Sequence, residues 1–304
     1  MVATTHAALF AVLCLFLGSS YAWTKLGLEG LDPLTFVLAR LLIGVAVLGL
    51  WLRLSGEGIP RERGLYALGL LNVLGAFLLL TWGQQYVESS HAAILVASGP
   101  MFSALGATYV LPDERLDRRR AVGVALGFAG VIALFSGDLG GSSATRSGHE
   151  IAGAVAIVIS AVVIAAIAII VRLRFPGYSA TQIALPQVTG GLVAVMLVSL
   201  LAGAGGLVTF EADLLAPWVL VSVLCLGVFN AGLGNIVYYR LVLGWGVTRT
   251  ALVAYVAPFI GAAIGVGLLD EHLGPNAAVG LALTLASLAL VTRDLKEVPC
   301  RNPR

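Results

Sequence analysis

Along the chain, long apolar runs alternate with short polar breaks. Ten runs stand out. They lie near Ala7–Trp23, Leu34–Leu52, Leu65–Trp82, Ala92–Leu111 and Ala121–Phe135, then near Ile151–Val171, Ile183–Leu201, Leu214–Tyr239, Val247–Leu269 and Ala277–Val291. The runs are solid, without the two-residue alternation of a membrane barrel strand. A helix crossing a hydrocarbon core roughly 30 Å thick needs about 17–25 mostly apolar residues. Most runs reach that length, and the fifth and tenth are short. The pattern predicts an all-α integral membrane protein of ten transmembrane helices, because backbone in lipid must satisfy its own hydrogen bonds.

Composition sharpens this picture. Of 304 residues, 59% are apolar and 11% charged, against about 25% charged in a soluble domain. Polar groups must cover most of what water touches, so an ordinary soluble enzyme, a disordered chain and a nucleic-acid binder are all disfavoured. Cys14, Cys225 and Cys300 are odd in number and widely spaced, which gives neither a disulfide framework nor a zinc site. No Lys or Arg occurs among the first 24 residues. The basic region of a cleaved signal peptide is therefore missing, and the first run is expected to be a retained span.

Net charge is only +2, but the distribution is uneven. With the N-terminus placed in the cytoplasm, fifteen of the 18 Lys and Arg fall on the cytoplasmic side. Lys25 and Arg146 fall on the other side and Arg40 lies within a span. Basic residues favour the cytoplasm, so both termini are expected there. The run Asp117-Arg118-Arg119-Arg120 acts as a topology determinant on this reading.

The two halves resemble each other. Gly69-Leu70-Leu71-Asn72 is echoed 158 positions later by Gly227-Val228-Phe229-Asn230, and Pro100 by Pro258 at the same offset. Glu114, Leu116 and Gly123 match Glu271, Leu273 and Gly280 at an offset of 157, and Arg40 falls opposite Gln187 at 147. Five spans per half make the second half enter from the opposite side, which is the inverted-topology repeat of many secondary transporters. The expected division is a first five-helix repeat over 1–140, a second over 141–295, and a cytoplasmic tail, 296–304.

Ten spans in two halves, with Pro100 and Glu114 echoed by Pro258 and Glu271, resemble the drug/metabolite transporter superfamily, EamA-type branch. Gly18-Ser19 in span one and Asp32-Pro33 ahead of Arg40 in span two are also similar to that family. Within it the chain looks most like the YddG-type amino-acid exporters. The resemblance covers residues 7–292 and implies a multi-pass protein of a bacterial inner membrane. It implies export of neutral or aromatic amino acids by alternating access.

Polar residues at bilayer depth are costly and therefore informative. Arg40 sits seven residues past Pro33, about 10 Å into a helix. It either snorkels to headgroups or contacts a substrate carboxylate. Asn72 and Asn230 are substrate ligands or interhelical glue beside Gly69 and Gly227. Asn235, Tyr238 and Tyr239 extend a polar stripe on span eight, although the tyrosines also fit an interfacial belt. Pro100 and Pro258 read as mid-helix prolines that bend spans four and nine. With Gly99, Gly261 and Gly265 nearby they form either mobile gates or static kinks. Ser98 and Tyr255 lie near those bends and are candidate path residues. Trp23, Phe77, Trp82, Phe102 and Phe259 offer aromatic surface to a substrate or simply pack. Glu114 and Glu271 are expected to cap a helix start or anchor a loop.

No phosphate-binding loop is present, so ATP-driven transport by this chain is unsupported. Apart from span ends such as Glu88, no acid lies within a span. The expectation is a monomeric carrier of a small molecule in the bilayer, with no cofactor, metal, nucleic acid or ATPase subunit. Alternatives are a carrier of another substrate in the superfamily (a drug, a nucleotide sugar or another metabolite), an intramembrane enzyme, or a channel. Ala97-Ser98-Gly99 resembles a membrane serine-protease setting, but His6, His91, His149 and His272 lie at span edges or in loops, so the base is missing. No ring of like charges suggests a channel filter.

Overall fold

The protein is described from a computed structural model over residues 2–28, 30–31, 33–83, 86–87, 95–114, 117–135, 148–204, 216–269 and 276–292. All ten apolar runs contribute helix, and no strand occurs among the described residues. Numbering the ten expected spans in chain order, the first is α1 (Val2–Leu28) and the second α2 (Pro33–Leu54). Span three is α3 (Arg63–Leu71), a π-helical stretch (Asn72–Phe77) and α4 (Leu78–Gly83). Span four contains α5 (Gly99–Val110), and span five is α6 (Arg118–Phe135). Spans six and seven are α7 (Gly148–Arg174) and α8 (Ala180–Ala204). Span eight is α9 (Pro217–Cys225), a second π-helical stretch (Leu226–Gly234) and α10 (Asn235–Gly244). Span nine is α11 (Val247–Ala251) and α12 (Val253–Leu269), and span ten is α13 (Asn276–Thr292).

Among the described residues, five helical stretches are long and apolar enough to cross a membrane: Leu34–Leu54, Arg63–Leu80, Gly148–Arg174, Ala180–Leu201 and Pro217–Gly244. Thr5–Ser20, Val247–Gly261 and Ala278–Thr292 are shorter apolar helices. Helix boundaries follow local chemistry. Glu62 caps α3 by accepting from the Gly64 amide at 3.3 Å, satisfying one of the amides a helix start leaves open. Pro33 and Pro217 open α2 and α9, where a missing amide costs nothing. Arg53 ends α2, and Arg172 and Arg174 end α7, complementing the negative end of the helix dipole.

One expectation is corrected at this level. Pro100 is not mid-helix: α5 starts at Gly99 and Pro100 occupies its first turn, after a turn at Ala97-Ser98. A proline there removes no intrahelical bond, so it starts the helix instead of bending it. Pro258 does lie inside α12. Span nine breaks at Leu252, six residues earlier, between α11 and α12.

Glycines set how closely the helices approach. A Cβ on Gly69 of α3 would lie 2.1 Å from the Gln187 carbonyl oxygen of α8, and one on Gly190 2.2 Å from the Tyr66 carbonyl. Across the bundle, a Cβ on Gly227 would meet Ile43 at 2.6 Å and the Arg40 carbonyl at 3.2 Å. Small residues permit such contacts where no hydrophobic drive brings helices together in lipid. Gly123, Gly127 and Gly130 of α6 likewise seat Val291, Ser287 and Thr284 of α13.

The extensive helix contacts pair α2 with α8, α6 with α13, α1 with α12, α5 with α7, α3 with α8, and α2 with the second π-helical stretch. A large apolar cluster joins α2, α3, α7, α8 and α10 through Leu48, Leu65, Val171, Ile183 and Tyr239. Another joins α1, α6 and α12 through Leu13, Val131 and Tyr255. Large apolar side chains such as Leu15, Leu50, Leu197 and Leu201 stay exposed, as a lipid-facing surface allows.

Candidate functional site: orphaned donors between the two halves

In the first half of α2, the Arg40 guanidinium carbon lies 5.3 Å from the ring centroid of Phe77, which ends the first π-helical stretch. A cation over an aromatic face is attracted by the ring quadrupole, which holds the side chain inside the bundle. Arg40 Nε is nonetheless buried with no hydrogen-bond partner. On α8, Gln187 accepts the Tyr239 hydroxyl at 2.6 Å through Oε1, while its Nε2 is buried and unpartnered. Both orphans are nitrogen donors, and an unmet donor in an apolar interior costs about 1–3 kcal/mol. The chemistry that answers each of these donors is an acceptor, such as a carboxylate.

The π-helical stretches position these groups. Each widens its helix locally, a geometry frequent at functional sites. In the first, the Leu78 amide reaches back five residues to the Val73 carbonyl. In the second, Asn235 Nδ2 donates to the Asn230 and Ala231 carbonyls, at 3.3 and 3.0 Å. The Asn235 amide thus repairs its own helix, so its donors are spent on backbone and not held out to a ligand.

The remaining sequence candidates divide sharply. Asn72 begins the first π-helical stretch and is exposed. Asn230 lines a cleft of about 240 Å³ with Phe16, Ser19, Trp23, Cys225 and Phe229, whose lining does not include Arg40 or Phe77. Tyr239 is buried, and Tyr238 packs edge-on to it at 5.1 Å between centroids. Tyr238 is half-buried and packs against three of the apolar clusters. Tyr255 is fully buried, donates to the Val124 carbonyl at 3.0 Å, and rests on Gly127. Its hydroxyl is occupied and its ring enclosed, so in this structure it packs and does not face a path. Ser98 Oγ donates to the Leu95 carbonyl at 2.6 Å, and Gly99 starts α5 beside it. Trp82 is exposed near the end of α4 and packs edge-on to Tyr86, which stacks on His149. Gly261 lies in α12 one turn past Pro258. Glu271, His91, His272 and Cys300 lie outside the described residues.

Glu114 caps a helix start, as expected from the sequence, but its ion pair with Arg172 was not anticipated. Glu114 is buried and accepts the Val247 and Thr248 amides at 2.7 and 2.8 Å, capping α11. The Arg172 guanidinium pairs with the same carboxylate at 2.6 Å and with Asp113. In sequence Arg172 is one basic residue among many at a span end, and only the echo of Glu114 at Glu271 marks the place. Among the described residues no group of His, Cys, Asp and Glu is placed to hold a metal ion.

A sequence model of the EamA-like transporter family matches the chain twice, over residues 5–136 and 151–293. The chain belongs to that family. It is a multi-pass membrane transporter, and its curated relatives carry transporter names. An "Uncharacterized transporter" of Archaeoglobus fulgidus is 25% identical over 295 residues, covering 95% of this chain and 97% of that protein. "Uncharacterized inner membrane transporter YedA" of Escherichia coli K12 is 27% identical, covering 94% and 89%. A "Probable terminal-alkyne amino-acid exporter" of Streptantibioticus cattleyicolor is 26% identical, covering 90% and 89%. A solved crystal structure superposes with a TM-score of 0.80 at 19% identity, over 95% of this chain and 98% of that one, a likeness of fold.

Proposed function

We propose that this EamA-family transporter exports neutral or aromatic amino acids by alternating access between two inverted five-helix repeats, as a monomer with both termini in the cytoplasm. The observation that carries the repeat is the crosswise packing of the glycine contacts. Gly69 and Gly227 are 158 positions apart, and Gln187 and Arg40 are 147 apart. Gly69 rests on the Gln187 backbone, and Gly227 rests on that of Arg40. At the same two offsets, Cβ atoms on Gly44 and Gly191 would meet Ala231 and Val73 at 2.7 and 2.8 Å. A twofold exchange of halves maps each contact onto the other.

The helix pairings support the same exchange. Spans two with seven and five with ten map onto themselves; one with nine maps onto six with four, and three with seven onto eight with two. Two halves related in this way have an outward-open and an inward-open arrangement of similar energy, which is what alternating access needs.

The substrate class rests on the donors. Arg40 Nε and Gln187 Nε2 are matched by a carboxylate, and Phe77 beside Arg40 offers a ring face. The Streptantibioticus relative's name points to amino-acid export as well. The test is counterflow in proteoliposomes against labelled amino acids and their decarboxylated amines, with wild type and Arg40→Gln. Saturable counterflow of amino acids is expected. Losing a charge-assisted bond worth about 1.5–3 kcal/mol raises KM roughly tenfold or more for carboxylated substrates. The amines should change little; equal effects on both sets, or uptake that does not saturate, would overturn the reading.

A further inference from the structure

Two carboxylates and one guanidinium meet where α5, α7 and α10 end and α11 begins. Asp113 and Glu114 follow α5, Arg172 lies in the last turn of α7, and Val242 in the last turns of α10. Glu114 and Arg172 are 7% and 8% exposed, so this is an interior pair. Glu114 Oε1 accepts from the Val247 amide and from Arg172 Nη1, and Oε2 accepts from the Thr248 amide. Arg172 Nη1 also donates to the Val242 carbonyl at 3.3 Å, and Nη2 pairs with Asp113. One carboxylate thus joins spans four, six and nine, and through Arg172 span eight.

The backbone is shaped to close around this pair. Gly246, just before α11, has φ +110°, which an L side chain rarely adopts. A Cβ there would also sit 2.9 Å from both Arg172 Nη1 and Glu114 Oε1.

Burying two ions costs several kcal/mol each, and their attraction repays it only with complete pairing. A packed apolar contact would hold these helix ends at least as well, so stability alone does not explain the choice. The pair has another property. When this end separates, water enters and hydrates both ions, so the closed and open arrangements stay close in free energy. An apolar seam has no such compensation, because opening it wets hydrocarbon. The contact also spans the division that must move: Asp113 and Glu114 belong to the first half of the chain, Arg172, Val242 and Val247 to the second.

The sequence encodes the same set once more. Asp270-Glu271 follows Asp113-Glu114 by 157 positions, and Lys25 precedes Arg172 by 147, the offsets of the repeat. Asp270, Glu271 and the Lys25 side chain lie outside the described residues.

Resting on the alternating-access reading above, we propose that Glu114 and Arg172 form a latch that holds this end of the transport path shut in one state and parts when the end opens. Glu114 is then a positioning residue for the exchange of states, acting through α11 on the proline-bearing span nine.

The test is a spin-label distance between Arg118→Cys at the start of α6 and Arg174→Cys at the end of α7. Both positions are exposed, and Cys14, Cys225 and Cys300 are replaced by Ser. Glu114→Gln cannot pair with Arg172 as an ion, and in the folded protein it should raise the long-distance population at least about threefold. Arg172→Lys keeps the charge but cannot span two carboxylates and a carbonyl, and should give a smaller rise in the same direction. A merely structural role would lower the thermal midpoint and leave the distances of the folded protein unchanged, and that result overturns the latch. If Glu114→Gln does not stay monodisperse, Arg172→Lys decides by the same criterion. The readout needs no substrate, so a failed latch leaves amino-acid export standing, and failed counterflow leaves the distance shift intact.

Discussion

Gly69 shows how much a single position controls in lipid. Its missing side chain lets α3 lie directly on the α8 backbone at Gln187, whose amide nitrogen is an orphaned donor of the site. A methyl group would sit 2.1 Å from a carbonyl oxygen that cannot swing away. Gly69→Ala should therefore push the two helices apart and destabilise the fold by about 1–3 kcal/mol, as overpacking does elsewhere. The thermal-unfolding midpoint in detergent micelles reads this directly. Gly49→Ala is the matched control, since a Cβ there meets nothing within 4 Å; it should keep the wild-type midpoint, and equal losses at both sites would refute the packing account. The sequence marks Gly69 through its echo at Gly227. It does not reveal what each glycine rests on, because that depends on which helices cross.

Individual elements test the idea that the prolines bend their helices. Inside α12, Pro258 leaves the Ala254 carbonyl without its usual i+4 donor, whereas Pro100 in the first turn of α5 removes no bond. Pro258→Ala should restore that bond, stiffen span nine and slow turnover several-fold with little change in KM, while Pro100→Ala should leave both nearly unchanged. Counterflow rates of the two variants decide this, and equal slowing would return Pro100 to the role of a bend. Helix existence was legible at this scale, since each apolar run became helix because lipid leaves the backbone no alternative. Helix ends and breaks were less so. The turn at Ala97-Ser98 and the break at Leu252 fall inside solid apolar sequence, where hydropathy is blind to a local change of winding. The two π-helical stretches escaped for the same reason. Arg172 was legible only as a positive charge at a span end, and its burial against Glu114 comes from partners 58 positions away.

For the whole molecule, the exchange of halves makes a demand that no single contact makes. If five helices of one half insert opposite to five of the other, every odd span runs against every even one, and Arg120 and Lys296 share a face. Arg146, between spans five and six, must lie on the other. The basic residues favour that assignment, and the Glu114 latch agrees with it, since the end of span four, the end of span six and the start of span nine are all brought to one end. Single cysteines at positions 120, 146 and 296 in a cysteine-free background, challenged with a membrane-impermeant thiol reagent in inside-out vesicles, should label at 120 and 296 and stay protected at 146. Labelling at 120 without 296 would mean an odd number of crossings between them. The crosswise packing of Gly69 and Gly227 would then have to arise without a twofold, and the proposed exchange between two states of similar energy would lose its symmetry.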